Sequence, residues 1–198
     1  MNKKMTDLDF SFENNNNPKK GCLLLSEPFM ADQYFERSVI LLCDYDAVSS
    51  FGFVLNNYIN INLNKLDDDF PSINTKISVG GPVDTKHLYY IHTLGEQISD
   101  SILIKKDLYL GGDFDQLKTM LNDDPSLISK VRFFLGYSGW GEDQLEAELT
   151  EKSWVAINNI ENNKLMDLGI ENLWQFCMNK QGDRFKIMSN FPVDPSFN

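Results

Sequence analysis

The stretch FLGYSGWG at residues 134–141 contains the residue types of a serine nucleophile. The nucleophile elbow of α/β-hydrolases has the pattern G-x-S-x-G between a strand and a helix. Ser138 lies between a predicted strand and a predicted helix, but Trp140 occupies the position of the second glycine. Both His87 and His92 precede the serine, whereas elbow families place the histidine after it. The pattern therefore favours a strand-to-helix corner with turn-forming glycines, and a hydrolase-type enzyme using Ser138 is an alternative.

The same glycines could form an anion site, because backbone N–H groups at a helix N-terminus attract negative charge. Gly139 and Gly141 come directly before the predicted helix. However, Glu142 and Asp143 occupy its first turn and already complement the helix dipole. Two carboxylates would repel a phosphate, so we predict no phosphate-containing cofactor here, and no other cofactor is indicated.

The spacing of candidate ligands disfavours metal binding. His87 and His92 are five residues apart, so on one strand their side chains point to opposite faces. The acidic triplet at 67–69 is typical of a solvated loop. Asp44 and Asp46 match the first acidic positions of a calcium loop, but the glycine at position six and the glutamate at position twelve are missing. We predict no metal site.

Arginine and paired carboxylates are the remaining candidates for chemistry. Arg37 begins an apolar run, which predicts a partly buried guanidinium in a structural ion pair, with anion binding as the alternative. The sequence cannot select a carboxylate pair for acid–base catalysis, because perturbed pKa values arise from tertiary burial. Trp140 and Trp154 are expected to pack together, since the helix between them returns the chain. We therefore predict no catalytic residue.

The elements that position these residues follow from hydrophobic runs and turn signals. Apolar runs bounded by Gly, Pro, Asn or Asp predict strands, and amphipathic spacing after an N-cap at Asp113 predicts a helix. The predicted strands are 22–25, 37–43, 51–55, 76–79, 88–92, 102–104, 131–135 and 154–157. The predicted helices are 114–122, 142–150 and 170–179, with a further element at 185–188 and irregular chain at 60–75 and 191–198.

The order of these elements indicates fold class and domain organisation. Consecutive strands with helices gathered late favour an α+β class over regular alternation of strand and helix. A length of 198 residues suits one domain, which we place at 21–198. Residues 1–20 contain an asparagine run at 14–17 and are predicted to form a flexible polar tail.

Composition narrows the class of partner and the compartment. The formal net charge of −11 disfavours direct binding to nucleic acid or to anionic membranes, because both depend on lysine and arginine. The pairs Lys19-Lys20 and Lys105-Lys106 are too short to reverse this charge. No apolar run reaches the roughly 20 residues of a membrane span, and no secretory signal is recognisable. The three cysteines form no CxxC pair, so we expect reduced, buried thiols in a cytoplasmic protein.

Four segments, taken in order and spacing, resemble the bacterial AlgH/YqgE family. They are FERSV at 35–39, GGPV at 80–83, FLGYSGWG at 134–141, and QLEAE at 144–148 with Ser153 and Trp154 following. The resemblance implies an α+β fold with a barrel-like, bifurcated β-sheet surrounded by helices in a single domain. It also implies signature positions that have no agreed role, namely Arg37, Ser38, Gly80, Gly81, Pro82, Tyr137, Ser138, Gly139, Trp140, Gly141 and Gln144.

The resemblance supplies no established molecular activity and no catalytic residues. Family members are often described as transcriptional regulators, and their genes often lie beside one for a Holliday-junction-resolvase-like nuclease, which implies a protein partner. Our leading prediction is a non-enzymatic binding or regulatory protein acting through a protein or small-molecule partner. The alternatives are a DNA-binding transcriptional regulator and a hydrolase-type enzyme using Ser138. The sequence does not predict the oligomeric state.

Overall fold

The computed structural model describes residues 16–46 and 48–192, and within these residues it contains ten β-strands and five α-helices. The strands are β1 (Leu23–Ser26), β2 (Val39–Tyr45), β3 (Ser50–Val54), β4 (Tyr58–Asn62), β5 (Asn74–Val79), β6 (Val83–His92), β7 (Ile102–Lys105), β8 (Leu108–Leu110), β9 (Val131–Trp140) and β10 (Trp154–Ile157). The helices are α1 (Phe114–Asp123), α2 (Gln144–Thr150), α3 (Asn162–Met166), α4 (Leu173–Asn179) and α5 (Asp183–Met188). Short 3-10 helices lie at Leu63–Lys65, Gly95–Gln97 and Pro125–Lys130. Residues 1–15 of the predicted tail and residues 193–198 of the predicted irregular C-terminus lie outside the described residues.

Strand β9 divides the sheet. The strands follow the antiparallel order β10-β1-β2-β3-β9-β6-β8-β7, and β4 pairs with β5 beside this path. Phe134 and Leu135 of β9 pair in parallel with β5, whereas the last three residues of β9 pair with β3. Strand β6 lies along the other side of β9. The predicted α+β class with a barrel-like, bifurcated sheet in a single domain is confirmed.

Strands β1 and β2 are apolar at successive positions because both of their faces are covered. Side chains alternate between the two faces of a strand. Leu23 and Leu25 belong to the core under α4 and α5, whereas Leu24 belongs to the core that includes Leu145 of α2. A strand buried on both faces has a continuous hydrophobic run rather than an alternating one. The predicted strands at 22–25 and 37–43 were recognisable for this reason.

Helix α1 begins where its N-cap predicts. The Asp113 carboxylate accepts hydrogen bonds from the N–H groups of Asp115 and Gln116. Leu117 and Leu121, one turn apart on one face, are buried in a third core formed with β6 and β9. Capping and amphipathic spacing are local properties, so the sequence is sufficient to place this helix.

Two strands and one helix lie outside the predicted elements. Strands β4 and β8 and helix α3 were not expected, and the last three residues of β4 and the first two of β5 overlap the range predicted irregular at 60–75. That prediction is wrong at these residues. Asparagine is depleted in strands, so YININ at 58–62 has a weak strand pattern, and five paired residues of β5 supply its backbone partners. None of the helices in the described residues is long and apolar enough to cross a membrane.

Candidate functional site

The signature stretch 134–141 is mostly strand. Strand β9 continues through Trp140, and the chain turns only afterwards, at Asp143 with φ of 57°. Gly136 has a positive φ of 65°, but Gly139 and Gly141 do not. The predicted strand-to-helix corner built from turn-forming glycines is therefore wrong for residues 136–140.

Gly81 and Gly136 lie where the main chains of two segments cross. A Cβ atom on Gly81 would lie 2.0 Å from the carbonyl carbon of Tyr137. A Cβ atom on Gly136 would lie 2.6 Å from the carbonyl oxygen of Val83. Only glycine allows such a close approach of main chain to main chain. The segments GGPV and FLGYSGWG, more than fifty residues apart in sequence, are thus pressed against each other.

Ser138 stabilises this crossing through a side-chain hydrogen bond. Its side chain is 1% exposed, and its hydroxyl donates to the carbonyl oxygen of Gly80 at 3.1 Å. The same carbonyl oxygen accepts the N–H of Val54 at 2.8 Å. The N–H of Gly80 donates to the carbonyl oxygen of Leu135 at 2.8 Å. A buried hydroxyl that satisfies a backbone carbonyl has a structural role.

The two histidines have other partners. The Nε2 atom of His92 lies 3.0 Å from the Ser101 hydroxyl and 3.0 Å from the carbonyl oxygen of Gly111, and burial lowers the pKa of this imidazole. His87 is exposed and contacts the Asp84 carboxylate through Nδ1. These contacts give the histidines roles that do not involve Ser138.

A carboxylate at Glu148 joins helix α2 to β9 and β10. Its Oε2 atom accepts the indole N–H of Trp140 at 2.9 Å and that of Trp154 at 2.7 Å. Its Oε1 atom accepts the side-chain amide N–H of Gln144 at 2.9 Å, and the side-chain Oε1 of Gln144 accepts the N–H of Gly141 at 3.1 Å. The two indole rings lie 6.2 Å apart at 86°, which confirms their predicted packing. The sequence did not identify Glu148 as the centre, although its spacing of four from Gln144 was a signal.

A cavity of about 290 Å³, which we call the signature cavity, lies beside this cluster. It is lined by Met30, Asp32, Phe35, Pro82, Ser138, Gly139, Trp140, Gln144, Glu148, Ser153 and Trp154. Each of the four signature segments contributes to its wall, so segments that are scattered in sequence meet at one place. Sequence reasoning did not anticipate Met30 or Asp32, which belong to none of the segments.

A second hollow, which we call the aromatic groove, adjoins the first across the end of β9. It has a volume of about 480 Å³ and is lined by Ser49, Ser50, Phe51, Val83, Tyr89, Tyr137, Gly139 and Trp140. The ring of Tyr137 meets Phe51 at 5.9 Å and Tyr89 at 5.8 Å, both edge to face. Gly139 and Trp140 border both hollows.

Asp84 is hydrogen-bonded to Tyr89, one of the residues that line the aromatic groove. The Tyr89 hydroxyl donates to its carboxylate at 2.5 Å, and His87 contacts it as well. The hydrogen bond from Tyr89 and then that from His87 lower the pKa of Asp84. Burial and then the bond to Asp84 raise the pKa of Tyr89 to about 12.

The signature positions Arg37 and Ser38 belong to another contact. The Arg37 guanidinium donates to the carbonyl oxygen of Phe191 at 2.5 Å and lies 5.1 Å from the ring centre of Trp174. In the described part of the chain, no ion pair involves Arg37, so the predicted ion pair is wrong. The N–H of Ser38 donates to the Ser26 hydroxyl at 2.9 Å. Arg37 thus ties the start of β2 to the C-terminal part of the chain, and Ser38 ties it to β1.

The buried arginine of the fold is Arg132, which the sequence did not single out. It is 1% exposed on β9 and donates to the carbonyl oxygens of Leu55 and Leu165 and, at 3.0 Å, to the Tyr58 hydroxyl. Burial lowers the pKa of this guanidinium. An arginine inside an apolar strand run has no local signal that distinguishes a buried from an exposed head group.

The other candidate ligands are engaged in the fold. Asp67 of the acidic triplet pairs with Lys118 at 2.6 Å, and the Asp46 carboxylate accepts the N–H groups of Val48 and Ser49. Residues 16–46 and 48–192 contain no group of three or more His, Cys, Asp or Glu placed to hold a metal ion. The three cysteines are free and buried as predicted, and burial raises the pKa of each thiol.

Comparisons with known proteins place this geometry in a family. The family model described as AlgH-like matches residues 23–186. A UPF0301 protein from Cytophaga hutchinsonii is 41% identical over 180 residues, which cover 90% of this chain and 98% of the relative. A UPF0301 protein from Bacteroides thetaiotaomicron is 39% identical over 191 residues, which cover 96% of each chain.

Two solved structures share the fold. The solution structure of the AlgH protein from Pseudomonas aeruginosa has a TM-score of 0.68 at 25% identity, with 90% of this chain and 98% of that chain covered. A crystal structure of a protein from Corynebacterium diphtheriae has a TM-score of 0.74 and covers 95% of this chain and 100% of that chain. At 20% identity, the second likeness concerns the fold alone.

Proposed function

This chain belongs to the AlgH-like family, and from that premise we propose that it is a non-enzymatic binding or regulatory protein whose ligand occupies the signature cavity. The proposal rests on one observation, which is that the signature segments meet at a single cavity. Phe35, Pro82, Ser138 and Trp154 come from four different signature segments, and all four residues line one cavity of about 290 Å³. Ligand sites are concave, and a few fixed polar groups among apolar walls give them specificity.

The state of the reactive groups supports binding rather than catalysis. The Ser138 hydroxyl is committed to the carbonyl of Gly80, and a nucleophile would need a base within hydrogen-bond reach instead. Glu148 holds two indole N–H groups and an amide, so its carboxylate is positioned by the fold. Such an arrangement orients a bound group.

A protein partner fits this proposal as a source of the bound group. A side chain of a partner can enter a cavity of this size, and the acidic character of the chain favours a partner with basic segments. The Holliday-junction-resolvase-like nuclease suggested by family resemblance is one protein to test, because proteins that bind DNA carry lysine and arginine on their binding surfaces. The same charge argues against direct binding of DNA by this chain.

The indole N–H groups provide a direct test of the cavity. In an amide and indole NMR spectrum, a fragment library is titrated against the full chain. We expect bound fragments to shift the indole signals of Trp140 and Trp154 and to leave the signal of Trp174 in place, because Trp174 donates to the Ser26 carbonyl inside another core. A Ser153→Leu variant narrows the cavity and should abolish the shifts while the Trp174 signal shows that the fold is intact.

Two outcomes would contradict the signature cavity as the ligand site. If no fragment moves the Trp140 and Trp154 signals, or if Ser153→Leu binds fragments as well as the parent protein does, the signature cavity is not the ligand site. A parallel titration with duplex DNA at physiological ionic strength tests the regulator alternative, and a salt-dependent complex there would replace this proposal.

A further inference from the structure

Two carboxylates line the signature cavity without a cationic partner. Asp32 is exposed, and its Oδ1 atom accepts only the N–H of Tyr34, at 2.8 Å. Glu148 is half-buried and accepts three neutral donors. Neither residue takes part in any ion pair of the described residues. Their negative charges are therefore oriented by the fold but not neutralised by it.

The remaining walls suit an organic cation. Phe35, Trp140 and Trp154 contribute aromatic rings, and Met30 contributes a thioether. Phe35 meets Trp154 at 5.6 Å and 76°. Aromatic rings attract ammonium and guanidinium groups through their negative faces, and the attraction increases when the site is shielded from water. No lysine, arginine or histidine is among the lining residues that the structure describes.

A hard metal ion fits this cavity poorly. Calcium takes six to eight oxygen ligands, and magnesium takes six in near-octahedral geometry. Three hydrogen bonds already occupy most of the acceptor capacity of the Glu148 carboxylate. An organic cation needs only one free acceptor position at each carboxylate, together with the ring faces.

From these observations we propose that the signature cavity binds a small organic cation, an ammonium or a guanidinium group. This inference rests on the proposed binding function and names its ligand class. Asp32 at the surface and Glu148 deeper in the wall hold the charge, while Phe35, Trp140 and Trp154 contact its apolar part. The cation is either a free small molecule or the side chain of a lysine or arginine presented by a partner protein.

The test compares a cation with its neutral isostere. The full chain is titrated with n-butylguanidinium and with n-butylurea, and binding is followed by the indole signals of Trp140 and Trp154. We expect n-butylguanidinium to bind at least about tenfold more tightly, which corresponds to about 1.4 kcal/mol. Asp32→Asn should remove most of this preference, since asparagine can still accept the Tyr34 N–H and the loop is kept.

The matched control is Glu171→Gln, which removes one negative charge at an exposed position outside the cavity. It should leave the preference unchanged. The capped peptide acetyl-Gly-Arg-Gly-amide distinguishes the two sources of the group. Tighter binding of the peptide than of n-butylguanidinium assigns the cation to a protein partner, and weaker binding assigns it to a free molecule.

Two results would overturn the inference. One is equal binding of n-butylguanidinium and n-butylurea, and the other is an equal loss of binding in Asp32→Asn and Glu171→Gln. In either case, neutral fragments that still shift Trp140 and Trp154 would preserve the proposed binding function and reject only the cation. Complete absence of shifts would reject both.

Discussion

The two hollows beside β9 differ in how their walls are fixed. In the signature cavity, Glu148 holds Trp140, Trp154 and Gln144 through three hydrogen bonds. In the aromatic groove, Tyr137 is held by ring contacts with Phe51 and Tyr89, and the hydrogen bond that borders the groove lies at Asp84. One hollow is therefore fixed by directional bonds and the other by packing.

This difference bears on what each hollow can do. Preorganised polar groups lower the cost of binding because they need no reordering when the ligand arrives. Aromatic contacts are less directional and depend on the volume that the rings fill. We therefore expect substitutions on the cavity side to change stability through unpaired donors, and those on the groove side to change it through lost packing.

The largest effect is expected where the two signature backbones cross. Gly81→Ala would place a Cβ atom 2.0 Å from the Tyr137 carbonyl carbon, and both hollows depend on this crossing. We expect a loss of more than about 4 kcal/mol in the free energy of unfolding, measured by denaturant titration.

The control for the crossing is Gly141→Ala. Gly141 has no positive φ, and a Cβ atom added there would meet no atom within 4 Å, so the free energy of unfolding should change by less than about 0.5 kcal/mol. Similar unfolding curves for the two variants would contradict the crossing and restore a turn-forming role to the last glycine.

The second-largest loss of stability is expected for a substitution in the wall of the signature cavity. Glu148→Ala leaves the indole N–H groups of Trp140 and Trp154 without their acceptor, and each unsatisfied buried donor costs about 1–3 kcal/mol. We expect a loss of about 3 kcal/mol in thermal or denaturant unfolding. Glu151→Ala, at an exposed position one turn later in the chain, should be nearly neutral. A neutral Glu148→Ala would mean that the cavity wall is fixed by packing, as the groove is.

A smaller loss of stability is expected for a substitution in the wall of the aromatic groove. Tyr137→Ala removes a half-buried ring from contact with Phe51 and Tyr89, and we expect a loss of about 2 kcal/mol in the free energy of unfolding. Affinity of the signature cavity for n-butylguanidinium should not change, because Tyr137 is not among the residues that line it. A parallel loss of cavity binding would show that the two hollows act as one site.

The smallest effect concerns Asp84, which is hydrogen-bonded to Tyr89 of the aromatic groove. Asp84 has a lowered pKa in the folded chain, so its contribution to stability is present above the unfolded pKa near 3.9 and is lost as pH falls through the folded value. In a carboxyl NMR titration, Tyr89→Phe should raise the pKa of Asp84 more than His87→Ala does, because the Tyr89 bond is the larger cause. The reverse order would assign the main contact to His87.

Sequence reasoning succeeded where signals are local. The apolar runs of β1 and β2, the Asp113 cap and the burial of the three cysteines required only neighbouring residues and composition. It failed at residues 136–140 of β9, beyond the predicted strand at 131–135, since three glycines within six residues weaken any strand prediction. The reason for Gly136 lies in GGPV, more than fifty residues away, and no local pattern shows it.

The candidate site was predictable only in part. The signature positions were named from the sequence, and the packing of Trp140 against Trp154 was expected from the helix between them. Asp32 and the central role of Glu148 were not expected, because an exposed loop aspartate and a helical glutamate are ordinary in sequence. Their meaning depends on what lies opposite them in the fold.

By itself, the sequence determined the α+β class, the family and the acidic character of this protein, because these depend on composition, periodicity and motif order. The tertiary structure decided which residues share a cavity, which serine is hydrogen-bonded to a buried main-chain carbonyl, and which carboxylates have no cationic partner among the described residues. Those properties arise from contacts between segments far apart in the chain. Glu148 is 113 residues from Phe35, and only the closure of the bifurcated sheet brings both to one wall.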